Sequence, residues 1–268
     1  MCHGRRGAQR ASAVVASRAM ETSLIVLAGG AMVAGFVQGL SGFGFGLVAM
    51  SVWAWTMDPR TAAACAVFGA LSGQILAAAT VRRGFDWRRL WPFLAGGLAG
   101  LPLGVWLLPQ LDPPLFRVLI GLLLAVWCPL MLWSDRIPHI TAGGRAADGV
   151  AGALGGLTGA LGGFSGPIPT LWCTLRGWEK EAQRAVIQNF NLAMLSVTMA
   201  SFIATGTVTA APWPQFAVIA PAMLIPVLLG ARVYTGISPV VFRRVVLGLL
   251  TASGVALLAG SLPALWTR

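Results

Sequence analysis

Apolar stretches of about 14 to 22 residues follow one another along nearly the whole chain, each closed off by Arg, Pro or Asp. That recurrence decides the class of fold before any motif is read. Hydrophobic residues make up 57% of the 268 and charged residues only 10%, where a soluble domain carries about 25% charged residues. A soluble core cannot use that much apolar surface, so the chain reads as an all-α integral membrane protein.

The formal charge of +11 would point to nucleic acid in a soluble protein, because clustered Lys and Arg displace counterions from phosphates. Here the cations lie in short loops between apolar stretches, where the excess of Lys and Arg on the cytoplasmic side of membrane proteins accounts for them. No nucleic-acid partner is expected. Cys2, Cys65, Cys128 and Cys173 have no metal-like pair spacing, and three lie in apolar runs where cysteine acts as a small hydrophobe. Neither a metal, a cofactor nor a disulfide is indicated. The basic stretch with Arg5, Arg6, Arg10 and Arg18 lacks the continuous apolar run of a signal peptide. Residues 1–21 therefore read as a disordered or mis-assigned tail, with Met20 as an alternative start.

Ten apolar segments can be marked, at about 24–40, 43–57, 61–80, 90–108, 115–133, 147–163, 166–176, 184–205, 214–231 and 240–260. A polar linker running from Ser134 to Asp148 divides them into halves, giving a repeat at 22–133, a cytoplasmic linker at 134–146 and a repeat at 147–262. Slid by about 125 residues, the halves match. Gly39, Ser41 and Gly42 fall on Gly163, Ser165 and Gly166; Pro102 lies near Pro226; Asp112, Pro113, Phe116 and Arg117 fall on Ser238, Pro239, Phe242 and Arg243.

Equivalent loops carry opposite charge patterns. Arg82, Arg83, Arg88 and Arg89 correspond to the uncharged stretch from Thr205 to Trp213, whereas weakly charged Asp58 with Arg60 corresponds to Arg176, Lys180 and Arg184. The loop with Asp112 and Arg117 likewise corresponds to Arg232, Arg243 and Arg244. Parallel repeats would be basic in the same places, so the halves read as two tandem, inverted repeats with an odd number of crossings each. Five plus five crossings is the favoured topology and four plus four the competing one, giving 8 to 10 membrane segments.

Two runs interrupt this pattern. Gln38, Gly39, Leu40, Ser41, Gly42, Phe43, Gly44, Phe45 and Gly46 form one; Gly162, Gly163, Phe164, Ser165, Gly166, Pro167, Ile168 and Pro169 form the other. Glycine costs about 1 kcal/mol and proline about 3 kcal/mol inside a helix, so each run predicts a broken hairpin. In hydrocarbon such breaks survive only where protein or a polar cavity supplies the freed backbone groups with partners. Inverted hairpins would bring their tips together, with the helix N-termini after Gly42 and Gly166 offering N–H groups to an anion and Ser41 and Ser165 offering hydroxyls. Close helix packing is the plainer use of glycine, and Gly96, Gly100 and Gly104, or Gly155, Gly159 and Gly163, have the spacing for it.

The two halves, each a Gly-rich hairpin followed by three further spans, resemble the TauE/SafE family of sulfite and organosulfonate exporters over about residues 22–260. The resemblance rests on Gly39, Ser41, Gly42, Gly44 and Gly46 in one half and Gly163, Ser165 and Gly166 in the other. It implies a multi-pass permease of the cell inner membrane for sulfur oxyanions, small sulfonates or related organic anions. Phe43, Phe45 and Leu47 among the glycines, and Pro167 after Gly166, depart from the usual glycine-rich run.

No Asp, Glu, Lys or His is read inside an apolar segment, so a neutral site lined by Ser, Asn, Gln and amide N–H groups suits an anion. The candidate substrate-binding residues are Gln38, Gly39, Ser41, Gly42, Phe43, Gly44, Gln74, Gly163, Ser165, Gly166, Gln188, Asn189 and Asn191; no catalytic residue is expected. Arg60 and Arg184 stand in equivalent places before segments three and eight, either as membrane-edge anchors or as parts of an electrostatic funnel. The leading expectation is a permease for a small anion working by alternating access in a lipid bilayer, with a proton as a conceivable coupling ion and a homo-oligomer as a compatible assembly. An anion channel of the same fold and a non-transporting membrane scaffold are the alternatives. An intramembrane enzyme would need acid, base or nucleophile at depth, and none is read there.

Overall fold

The computed structural model describes residues 23–80, 84–134, 137–140, 142–208, 212–233 and 239–266. The tail at 1–21 and Arg82, Arg83, Asp135 and Arg136 lie outside the described residues. Within them the chain is helical: α1 (Ser23–Ser41), α2 (Phe45–Thr56), α3 (Pro59–Thr80), α4 (Trp87–Leu107), a 3-10 turn (Leu108–Gln110), α5 (Pro113–Trp133), α6 (Gly144–Gly162), α7 (Pro167–Leu175), α8 (Lys180–Ala204), α9 (Trp213–Val233) and α10 (Pro239–Trp266). All ten segments read from hydropathy are present. Several helices start up to four residues earlier, because polar first turns such as Lys180–Gln183 are helical without being apolar. Among the described residues seven helices are long and apolar enough to cross a membrane (α1, α3, α4, α5, α8, α9 and α10), and α2 is a shorter apolar helix. In α6, seven of the nineteen residues are glycine.

Three aspartates cap helix starts. The carboxylates of Asp58, Asp86 and Asp112 accept the amides of Thr61, Arg89 and Leu115 at 3.0, 3.2 and 3.0 Å. Each thereby pairs an amide that a helix start leaves free.

The helix directions follow from which residues face each other. Gly30 of α1 abuts Trp53 of α2 while Val37 meets Gly44, so α1 and α2 form an antiparallel hairpin closed at residues 42–44. In the same way Trp172 reaches Asp148 and Gly159 meets Ser165, making α6 and α7 a second hairpin. The α4 helix lies parallel to α6, with Gly96, Gly100 and Gly104 against Gly149, Ala153 and Leu157. The α1 helix lies likewise on α9, with Gly35 against Met223 and Gly39 against Val227. Finally, α5 and α10 cross antiparallel, Gly121 facing Leu258 and Gly254 facing Ala125.

Glycine sets these distances. A Cβ on Gly96, Gly100 or Gly156 would run into the backbone of the facing helix, so the spacing read as a packing face is one, in line with small residues driving helix association where lipid removes the hydrophobic drive. Gly156→Val is expected to destabilise the detergent-solubilised protein by about 1–3 kcal/mol through overpacking, lowering its thermal midpoint. Gly248→Val, where a Cβ meets nothing within 4 Å, should leave that midpoint within a degree or two.

Candidate functional site

The backbone turns sharply where the sequence breaks. Gly42 and Gly44 take φ of 76° and 106°, and Gly163 closes α6 at φ 74°, values in the left-handed region that side chains resist. Side-chain amides meet carbonyls at and beside the first break. Gln74 Nε2 donates to the Gly42 carbonyl at 2.7 Å, and Gln38 Nε2 donates to the Ala70 carbonyl at 2.9 Å. In the second hairpin Thr170 Oγ1 donates to the Gly166 carbonyl at 2.7 Å and Thr158 Oγ1 to that of Phe164 at 3.1 Å.

The two tips touch. Gly46, in the first turn of α2, lies so close to the carbonyls of Gly162 and Gly163 that no Cβ would fit. Around this contact Gln38, Phe43, Gly44, Gln74, Gly163, Ser165, Gly166 and Asn191 enclose a space of about 10 Å³, roughly one water-sized sphere. Most of the predicted residues are thus together, but with no room between the tips for an oxyanion in this conformation.

The room lies to one side. A cavity of about 310 Å³ runs from Gln38, Ser41 and Gly42 at the first break to Lys180, Arg184 and Gln188 at the start of α8. Eight residues of helix separate Lys180 from Gln188, about 12 Å of depth. Leu76, Ala77, Val227 and Ala231 form its apolar wall. Lys180 and Arg184 are exposed at the shallow end, and Gln38 and Gln188 are buried at the deep end.

The predicted residues differ in how they are used. Ser165 Oγ donates to Asn191 Oδ1 at 3.0 Å, both groups buried, while a Cβ on Gly166 would stand 2.7 Å from Asn191 Nδ2. Asn191 is therefore fixed directly against the second break. Ser41 Oγ donates back to the Val37 carbonyl at 2.8 Å and contacts the Phe43 carbonyl, so its hydroxyl caps its own turn. Asn189 points elsewhere, donating to Ala185 and Gly84 carbonyls at 2.7 and 3.0 Å. The helix starts are also unequal: α2 opens with amides at Phe45, Gly46 and Leu47, whereas Pro167 and Pro169 remove two donors from α7.

One expectation needs correction. The sequence leads one to expect no Asp, Glu, Lys or His inside a segment, yet Asp148, read as the end of the polar linker, belongs to α6 and is 4% exposed. Its Oδ1 accepts from Arg176 Nη1 at 2.9 Å and from Trp172 Nε1 at 2.7 Å. The Arg176 guanidinium lies 6.0 Å from the Trp172 ring and 5.9 Å from the Trp178 ring, and also donates to the Gly144 carbonyl. A buried carboxylate is tolerated because its charge is paired and hydrogen-bonded; the pair joins the open ends of α6 and α7. Sequence reasoning also passed over Thr170 and Gln183, which line the cavity. The signal for Gln183 was available as an amide in the first turn of α8, five residues before Gln188.

The chain matches the family model "Sulfite exporter TauE/SafE" over residues 27–257, most of its length, and belongs to that family. The family comprises multi-pass membrane transporters of sulfite or related anions, not enzymes, usually in the inner membrane. No curated protein and no solved structure matches the chain.

Asp148→Ala, which strands a half-buried Arg176, is expected to cost about 3 kcal/mol, and Asp148→Leu combined with Arg176→Met to recover most of it. Unfolding titrations of the detergent-solubilised variants measure both.

Proposed function

From membership of this transporter family, we propose that the protein is a permease that carries a small sulfur oxyanion, sulfonate or organic acid anion by alternating access around the two Gly-Ser breaks. The observation that carries the reading is the cavity of about 310 Å³, which leads from exposed cations to one break and stops where the second break closes the path. A channel of this fold would need a passage on both sides of the tips, and the space between them is about 10 Å³.

In this reading Lys180 and Arg184 raise the local concentration of anions at the mouth, a long-range effect that salt weakens. Gln38 and Gln188 replace part of the anion's hydration shell at the deep end, and the first-turn amides of α2, which face the closed space between the tips, join them only when the tips part. Asn191, held by Ser165, serves the same anion once the tips part. The helix pairs support an inverted repeat: α4 on α6 has its counterpart in α9 on α1, and antiparallel α5 and α10 are what an odd number of crossings per half requires. The basic loops then face the cytoplasm, and the cavity opens there.

Reconstituted protein should accumulate sulfite, a sulfonate or a small carboxylate against its gradient, tested with and without a pH difference; equilibration without accumulation under every condition would favour the channel. Ser165→Ala and Asn191→Ala should each lower the transport rate about tenfold, the size of one lost polar contact to an anion. Lys180→Gln should raise the half-saturating concentration several-fold at low ionic strength, with the difference shrinking as salt is added. Unchanged flux in Ser165→Ala and Asn191→Ala would remove these residues from the site.

A further inference from the structure

Gln38 is the polar side chain shared by the two spaces. Of the described residues only Gln38 and Phe43 line both the cavity of about 310 Å³ and the space of about 10 Å³ between the tips. Gln38 is 3% exposed, and its amide lies against α3 at Gly73, in the place that a Cβ on Gly73 would occupy. Its Nε2 donates to the Ala70 carbonyl at 2.9 Å. That bond decides which way the amide faces, since turning it over would set two acceptors against each other. The remaining atom, Oε1, is therefore an acceptor, and it is buried without a hydrogen-bond partner. The offset that places Gly39 on Gly163 sets Gly162 opposite Gln38, so the repeat itself does not call for an amide here.

A buried acceptor without a partner is unfavourable, and the group that satisfies it must bring a hydrogen. A fully deprotonated oxyanion offers acceptors alone and is repelled by this oxygen, whereas an anion that also carries an O–H or N–H group can bond to it. We propose that Gln38 Oε1 is a specificity-determining acceptor, which selects small anions bearing a hydrogen-bond donor, such as hydroxysulfonates or hydroxy acids, over anions with none. The inference rests on the permease reading and names a chemical feature of its substrate. Gln38 then replaces the water that would accept from the anion's donor. A neutral acceptor suits that role, because a carboxylate in its place would repel the anion's charge.

A site built to bond a hydroxyl rejects the analogue that lacks it, because its own buried polar group is left unpaired. The cavity walls work the other way: Leu76, Ala77, Val227 and Ala231 are apolar and favour a methyl group over a hydroxyl. A preference for the hydroxyl is thus a signature of the acceptor and not of the cavity at large.

The test compares 2-hydroxyethanesulfonate with propane-1-sulfonate, and 3-hydroxypropanoate with butanoate; within each pair charge and length are the same and a hydroxyl replaces a methyl. Binding is measured by calorimetry on the detergent-solubilised protein, and flux in proteoliposomes. The wild type should bind the hydroxylated member of at least one pair about tenfold more tightly, the size of one hydrogen bond to an otherwise unpaired group. Gln38→Leu should cancel or reverse that ratio, whereas an amide with a purely structural role would, when replaced, weaken both members of a pair alike. Equal binding of both members by the wild type in both pairs, no binding of any, or an unchanged ratio in Gln38→Leu overturns the proposal. Equal binding is also what a single water serving Oε1 would give, and the wild type alone decides it should Gln38→Leu fail to fold. The two readings fail separately: a hydroxyl preference in binding without accumulation of any anion in vesicles removes the permease, and accumulation without a preference removes the acceptor.

Discussion

Every part of this fold answers to one constraint, that a backbone group freed inside a bilayer must find its partner in the protein. The breaks at Gly42–Gly44 and Gly163–Gly166 free such groups at the centre of the helix bundle. Gln74 and Thr158 answer them with direct hydrogen bonds to the carbonyls of Gly42 and Phe164. Polar side chains there are thus partly structural, and their positions are set by the carbonyls they serve. Gln38 is held in this way, its Nε2 donating to the Ala70 carbonyl, while its Oε1, an acceptor, is buried without a partner.

The hairpins reach the centre only because glycine lets neighbouring helices come close. On α4 and α6, glycines alternate across the contact, Gly96 and Gly100 from one side and Gly152 and Gly156 from the other. The contact of α1 with α9 is built likewise from Gly35, Gly39 and Gly230. These faces are smooth, and a smooth face permits sliding more readily than interlocked large side chains do. Larger residues pack beside these faces, where the buried Phe93 meets Phe190 and Trp178 edge to face.

Charge is arranged around this core according to how each group is satisfied. Aspartates cap helix starts, Arg117 donates to the carbonyl of Ala54 at the end of α2 at 2.9 Å, and Arg176 is held between two tryptophans against Asp148. Lys180 and Arg184 are exposed at the mouth of the cavity of about 310 Å³ instead. A cation left in water beside a polar recess attracts anions without the cost of burying its charge.

Hydropathy alone marked all ten helices and both breaks, because each depends on local properties: the length of an apolar run, and the intolerance of helices for clustered glycine and proline. Charge alternation likewise pointed to inversion, since loop charge responds to the side of the membrane and not to packing. The sequence could not show that Asp148, at the start of the segment marked from 147, is buried, because a charge is buried or exposed according to its partners, and Arg176 and Trp172 lie 28 and 24 residues away. Nor could it separate Asn191, fixed on the second break by Ser165, from Asn189 two residues earlier, since 200° of helical rotation between them sends one side chain to the centre and the other to Gly84. Tertiary structure alone decided that the tips touch while the open space lies between α8 and α9, because a cavity is set by how far whole helices stand apart, a distance that no single residue encodes.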